Sequence, residues 1–168
     1  MDESARKIHT ALSEMEGLLT EKLAAGGTVS FSPRGESMLP MLREEGDTVT
    51  LIKPPKRIGR GAVALFASEY KGERRYVLHR LVARNGEDYI FCGDKRKVCD
   101  PPAARGDIIG VVAGYESRGK KRSVRSLTYR LYSLWMVATY RHRDAAFKIQ
   151  NFAGRIRQRL LRLGKTEN

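Results

Sequence analysis

A serine and a histidine occur in a pattern that would allow the serine to attack a carbonyl group with the help of the histidine. Ser37 lies in the segment 35–40 at the end of a β-type run, where its hydroxyl would be exposed and the following peptide N–H groups could face a substrate carbonyl. His79 lies in an alternating strand pattern, on the same face as Val77 and Leu81. A loop serine is ordinarily a turn residue and a histidine on an apolar face ordinarily belongs to the core, so the prediction depends on the two acting together.

Two carboxylates follow in the segment 93–100. Either Asp94 or Asp100 could hydrogen-bond to the imidazole of His79, fix its orientation and stabilise it when it is protonated. With Ser37 and His79, one of these carboxylates would complete the set of groups that acyl transfer requires, namely a nucleophile, a base and a carboxylate that orients the base.

The ordered set of motifs over residues 28–112 resembles the signal peptidase I-like serine peptidases. It resembles the variant found in archaeal and endoplasmic-reticulum enzymes, which carry His where the bacterial enzymes and the self-cleaving repressors carry Lys. The motifs are Gly-x-Ser-Met-x-Pro (35–40), Arg-Gly (60–61) before an apolar run, His-Arg (79–80), Gly-Asp (93–94) followed by Asp100, and Arg-Gly-Asp-Ile-Ile-Gly (105–110).

The resemblance implies a role for each residue of the site. It makes Ser37 the nucleophile, His79 the general base and Asp100 the acidic partner, with Asp94 as a supporting carboxylate. Met38 follows the nucleophile as in the family motif, and the backbone N–H of Ser37 would donate to the oxyanion. The position before Ser37, where a side chain could add a second donor, holds Glu36, which is an acceptor when ionised. Two features depart from the family, which has Asp at the position of Ala62 and a membrane anchor before the nucleophile.

The elements that must position these residues are short β-type runs. An amphipathic helix is predicted for residues 4–25, and Gly26 and Gly27 would end it. The β-type runs cover residues 28–31, 48–52, 62–66, 76–82, 89–92 and 108–112. We therefore predict a mostly β catalytic body of the signal-peptidase and repressor type with N- and C-terminal amphipathic helices, α+β overall. The predicted units are the helix at 1–27, a catalytic domain at 28–114 and a basic appendage at 115–168.

Positive charge is concentrated at one end of the chain. The 168 residues carry a net charge of +13, and residues 115–168 hold 14 basic and 3 acidic side chains. A plausible N-cap at Ser126 opens a helix rich in aromatic and aliphatic residues at 127–140, and a second, basic amphipathic helix follows to about residue 163. These helices predict docking to an anionic membrane surface, or else pack on the body with a solvated charged face. Trp135 clusters with aliphatic residues rather than with arginines, which disfavours nucleic acid as the partner.

The sequence offers no metal or cofactor site and no segment for export or membrane spanning. Cys92 and Cys99 with three scattered histidines do not make a metal constellation, and we expect free thiols rather than a disulfide. The start of the chain lacks an export signal, and no run of 18 apolar residues occurs. We therefore expect a cytoplasmic protein, peripheral at a membrane through residues 115–168.

The function that the resemblance implies is a serine endopeptidase that cleaves a precursor or leader peptide after small residues. One alternative is a self-cleaving, repressor-like protein, for which the Ala25–Gly26 bond is a candidate site. Another is a non-catalytic module that binds membrane or nucleic acid through its basic tail. The residues leave the oligomeric state and the substrate open.

Overall fold

A computed structural model describes residues 15–70 and 72–142, and its central feature is a seven-stranded antiparallel sheet. The sheet order is β1-β2-β6-β3-β4-β5, with β7 paired to β6. This confirms the prediction of a mostly β, α+β chain. The strands are β1 (Val29–Phe31), β2 (Thr48–Ile52), β3 (Val63–Tyr70), β4 (Glu73–Asn85), β5 (Asp88–Cys92), β6 (Ile108–Ser117) and β7 (Lys120–Ser123).

Within the described residues, two α-helices accompany the sheet. Residues 15–24 form α1, which ends in a turn at Gly26 with a φ of 84°, a conformation that glycine adopts without strain. The second helix, α2 (Leu127–Thr139), begins at Ser126, whose hydroxyl accepts a hydrogen bond from the N–H of Tyr129, so this predicted N-cap is confirmed. Short 3₁₀ turns cover Arg105–Asp107 and Tyr140–His142. No helix within the described ranges combines the length and the apolar character that crossing a bilayer requires.

Strand β3 is buried on both faces of the sheet, since its alternate residues belong to different hydrophobic clusters. Val63 and Leu65 pack with Leu23 of α1 in one cluster, whereas Ala64 and Phe66 belong to the other. Phe66 stacks on Phe91 of β5 with ring centroids 4.2 Å apart. The strand that carries His79 therefore has protein on either side, which allows consecutive residues of β4 to be buried on opposite faces.

The structure corrects the predicted boundary between residues 114 and 115, which falls inside β6. This strand continues to Ser117, and the basic segment predicted as a linker turns back through Arg118 and Gly119 to form β7. Both turn residues have positive φ, 55° and 69°, as a two-residue hairpin requires. The segment is polar because β7 is exposed along its whole length. Residues 1–14 of the predicted N-terminal helix and residues 143–168 of the appendage lie outside the described residues.

Asp47 connects the β6–β7 hairpin to the start of β2 through hydrogen bonds. It is fully buried and accepts hydrogen bonds from Arg43 (backbone N–H 2.9 Å, Nη2 3.1 Å), from Ser117 Oγ (2.8 Å) and from the N–H of Arg118 (3.2 Å). Burial by itself raises the pKa of this carboxyl, but the hydrogen bonds outweigh it and lower the pKa to about 2.

Stability should therefore depend on the ionisation of Asp47. Its folded pKa lies below its unfolded value, so the stabilisation is complete at neutral pH and is lost as the pH falls from about 5 toward 2. We expect Asp47→Asn to lower the free energy of unfolding by about 2 kcal/mol at pH 7, and we expect this difference from the wild type to shrink in acid. Urea unfolding at several pH values measures it, with exposed Glu45→Gln as the control. A difference that stayed constant between pH 7 and pH 3 would contradict the assignment.

Candidate active site

His79 and Asp100 form a buried pair. The side chain of His79 on β4 is 3% exposed and that of Asp100 is 6% exposed, and Nδ1 of the ring lies 2.5 Å from Oδ2 of the carboxylate. Arg96 Nη1 donates to the other carboxylate oxygen over 3.2 Å, and the N–H of Asp100 donates to the carbonyl of Phe91 at the end of β5. A carboxylate in this position keeps the imidazole proton on Nδ1 and leaves Nε2 as an acceptor.

Ser37 lies in a turn that the core holds in place. Met38 is 3% exposed and belongs to the cluster that contains Leu23, so its side chain anchors the segment. The carbonyl of Met38 accepts from the N–H of Leu42, and the N–H of Leu39 donates to the carbonyl of Glu36. Ser37 itself is half-buried. The residue that follows the serine therefore acts through packing, and the serine remains accessible.

Gly93 joins the serine and histidine segments. A Cβ at Gly93 would lie 2.8 Å from His79 Nε2 and 2.8 Å from the carbonyl oxygen of Ser37, closer than real Cβ contacts come. The same carbonyl accepts a hydrogen bond of 2.8 Å from the N–H of Lys95. The absence of a side chain at Gly93 thus lets the Nε2 edge of His79 approach the turn that contains Ser37.

The hydroxyl of Ser37 makes no hydrogen bond to His79 among the residues that the structure describes. Catalytic hydrogen bonds of this kind are often long without substrate and shorten when it binds. Within residues 15–70 and 72–142, the backbone N–H groups of Ser37 and Met38 also donate no hydrogen bond. Both are therefore available to an oxyanion formed at a substrate carbonyl.

Asp94 contacts Arg80 and not the imidazole of His79. It is fully buried and accepts from Nε and Nη2 of Arg80 over 2.8 and 2.7 Å, and Tyr132 Oη of α2 donates to it over 2.9 Å. Burial by itself lowers the pKa of Arg80, but the charge and hydrogen bonds of Asp94 outweigh it and raise that pKa, so the pair stays ionised. Asp94 thus holds the turn that carries Gly93, while Asp100 contacts the histidine.

Helix α2 contributes contacts that sequence reasoning missed. Arg80 Nη1 donates to the carbonyl of Gly61 (2.8 Å) and to Ser133 Oγ (3.1 Å), and the guanidinium lies over the rings of Tyr129 and Tyr132 at 5.5 and 5.2 Å. The helical spacing of these α2 residues could have indicated one inward face. Their aromatic character instead favoured a membrane assignment. The buried arginine itself gave no signal, because arginine is rarely fully buried.

Glu36, which precedes Ser37, forms an exposed ion pair with Lys95. The hydrogen bond from Lys95, helped by its charge, lowers the pKa of Glu36. Glu36 is therefore an ionised acceptor, and the backbone N–H groups remain the candidate oxyanion donors.

The remaining features concern the two cysteines, metal binding and similarity to known proteins. Cys92 and Cys99 are free thiols. In the part of the chain that the structure describes, no three His, Cys, Asp or Glu side chains are grouped so that they could bind a metal ion. No protein-family model, curated protein or solved structure matches the chain.

Proposed function

We propose that the chain is a serine endopeptidase of the signal-peptidase type that cleaves a precursor or leader peptide. The observation that supports this most strongly is the buried Asp100–His79 pair, whose Nε2 edge reaches the turn of Ser37 across Gly93. A histidine that served only the core would not need a carboxylate on one nitrogen and a half-exposed serine segment at the other.

The reaction would follow the order of a serine acyl transfer. His79 Nε2 takes the hydroxyl proton as Ser37 Oγ attacks the scissile carbonyl, and Asp100 stabilises the imidazolium that forms. The N–H groups of Ser37 and Met38 donate to the oxyanion. As the peptide bond breaks, His79 returns the proton to the leaving amine, and an acyl group remains on Ser37. Water then attacks this ester with His79 as base, which releases the carboxylic acid product and restores the serine.

Cleavage in trans is favoured over self-cleavage at Ala25–Gly26. The N–H of Ala25 donates to the carbonyl of Glu21, and the N–H of Gly26 donates to that of Leu23, so the bond lies in the hydrogen-bonded end of α1. A bond held in this way is not extended, and its carbonyl would have to leave the helix end before Ser37 could attack it.

A serine-reactive fluorophosphonate tests the proposal directly. We expect the probe to form a covalent adduct on Ser37 of the full chain, found by mass spectrometry of the digested protein, because an activated hydroxyl displaces fluoride where an ordinary serine does not. Ser37→Ala should lose the adduct, whereas Ser32→Ala, which removes a neighbouring exposed serine, should keep it. A wild-type protein that folds but forms no adduct would contradict the proposal and favour the non-catalytic module.

A further inference from the structure

Helix α2 is apolar on both sides. Its inner face buries Tyr129, Ser133, Met136 and Val137. Its outer face exposes four large side chains that recur at helical spacing, namely Leu127 (69% exposed), Leu131 (58%), Leu134 (65%) and Trp135 (39%). We call these four residues the outer face. A continuous apolar stripe on an exposed helix is a feature of surfaces that bind another protein or a membrane.

The chain segment that carries the outer face is basic. Residues 118–142 contain seven lysines and arginines and no acidic residue. None of the seven forms an ion pair with a described residue. All three cations of β7, Lys120, Lys121 and Arg122, are exposed. The occupant of this surface must therefore combine an apolar region with dense negative charge.

A cleft lies where the hairpin meets α2. It has a volume of about 250 Å³, and its lining includes Arg118, Arg122, Thr128 and Tyr132. Two guanidinium groups match the charge and the acceptor oxygens of a phosphate group. The cleft adjoins the first turns of the helix that carries the outer face.

We propose that the outer face docks on an anionic phospholipid bilayer. The leucines and Trp135 enter the interfacial region, while the basic hairpin and the cleft bind lipid phosphates. This proposal does not depend on the proposed peptidase activity. A second copy would bring seven like charges against these seven. Residues 143–168, with seven basic and two acidic side chains, also match the charge of the surface poorly. Nucleic acid would use the cations and leave the four apolar side chains in water.

Trp135 provides the measurement because it is the only tryptophan of the chain. Its emission should shift to shorter wavelength when the full chain is mixed with vesicles of phosphatidylglycerol and phosphatidylcholine, and brominated acyl chains should quench it. Vesicles of phosphatidylcholine alone should leave it unchanged, and 0.5 M salt should reverse much of the binding, since screening weakens the contribution of Lys and Arg.

Matched variants separate the apolar and the basic contributions. Leu131→Glu should weaken binding at least tenfold, whereas Leu18→Glu, which changes an even more exposed leucine of α1, should not. The double change Lys120→Gln with Lys121→Gln should weaken binding more than Lys53→Gln with Lys56→Gln, which removes the same charge elsewhere.

Four results would overturn the proposal. The first is an emission unchanged by anionic vesicles. The second is a shift that grows with protein concentration in buffer, which would show a second copy on the outer face. The third is an emission already shifted at every dilution, which would show residues 143–168 covering it. The last is binding to RNA or DNA that is stronger than binding to vesicles and is unchanged by Leu131→Glu.

Discussion

Ser37→Ala and His79→Ala are each expected to lower the rate of peptide cleavage by roughly 10³- to 10⁶-fold, and the double variant should be no slower than either single variant. The effects overlap because nucleophile and base serve one step. Asp100→Asn should cost less, roughly 10³- to 10⁴-fold, because the base remains but its tautomer and orientation are no longer held. The rates are measured on a peptide that the wild type cleaves, found by sequencing the products of a peptide mixture.

Control measurements separate loss of chemistry from loss of structure. Each variant is compared with the wild type in urea unfolding followed by Trp135, and Ser32→Ala supplies the unperturbed background. His79→Ala with near wild-type turnover would remove histidine from the mechanism. Effects of the serine and histidine changes that multiplied in the double variant would mean that the two groups act in different steps.

The second large effect concerns stability. Arg80→Met or Asp94→Leu is expected to lower the free energy of unfolding by about 3–5 kcal/mol, since each change leaves a buried charge without its partner. Combining the two should restore much of the loss, because no charge is then left buried. Denaturant unfolding of the wild type, both single variants and the double variant measures this coupling.

An exposed pair on the same strand provides the comparison. Arg75 and Glu73 of β4 form an ion pair of 2.7 Å with side chains 54% and 70% exposed. Arg75→Met or Glu73→Leu should change the free energy of unfolding by only about 0–1 kcal/mol. If the buried variants cost no more than these, Arg80 would not be the internal support of the site.

Alternation and turn residues predicted the positions of six of the seven described strands, but not how far the strands extend. The β4 pattern predicted residues 76–82, whereas the strand covers Glu73–Asn85, because its flanks pair with β3 and β5 despite their polar side chains. In the same way, the basic residues after Gly114 have the composition of a linker, and only pairing with β6 makes them a strand. Pairing partners are distant in sequence, so composition alone does not reveal them.

The candidate site was predictable as a set of residues and not as an arrangement. Asp94 and Asp100 are indistinguishable by type, and the path of the chain after β5 decides that Asp100 contacts His79 and Asp94 contacts Arg80. The role of Gly93 depends on a close approach between segments that strand patterns do not show. Residue chemistry therefore identified the participants, and the fold divided the two carboxylates between two partners.

The hydrogen bond from Tyr132 to Asp94 can form only after α2 has been synthesised. Ser37, His79 and Asp100 are all translated before α2, yet the turn at Gly93 rests on Arg80, whose guanidinium is enclosed by Tyr129, Tyr132 and Ser133 of that helix. Until α2 has left the ribosome, Arg80 and Asp94 lack these partners. A nascent chain that ends before Tyr132 thus contains Ser37, His79 and Asp100 but lacks α2 side chains that enclose Arg80 and bond to Asp94.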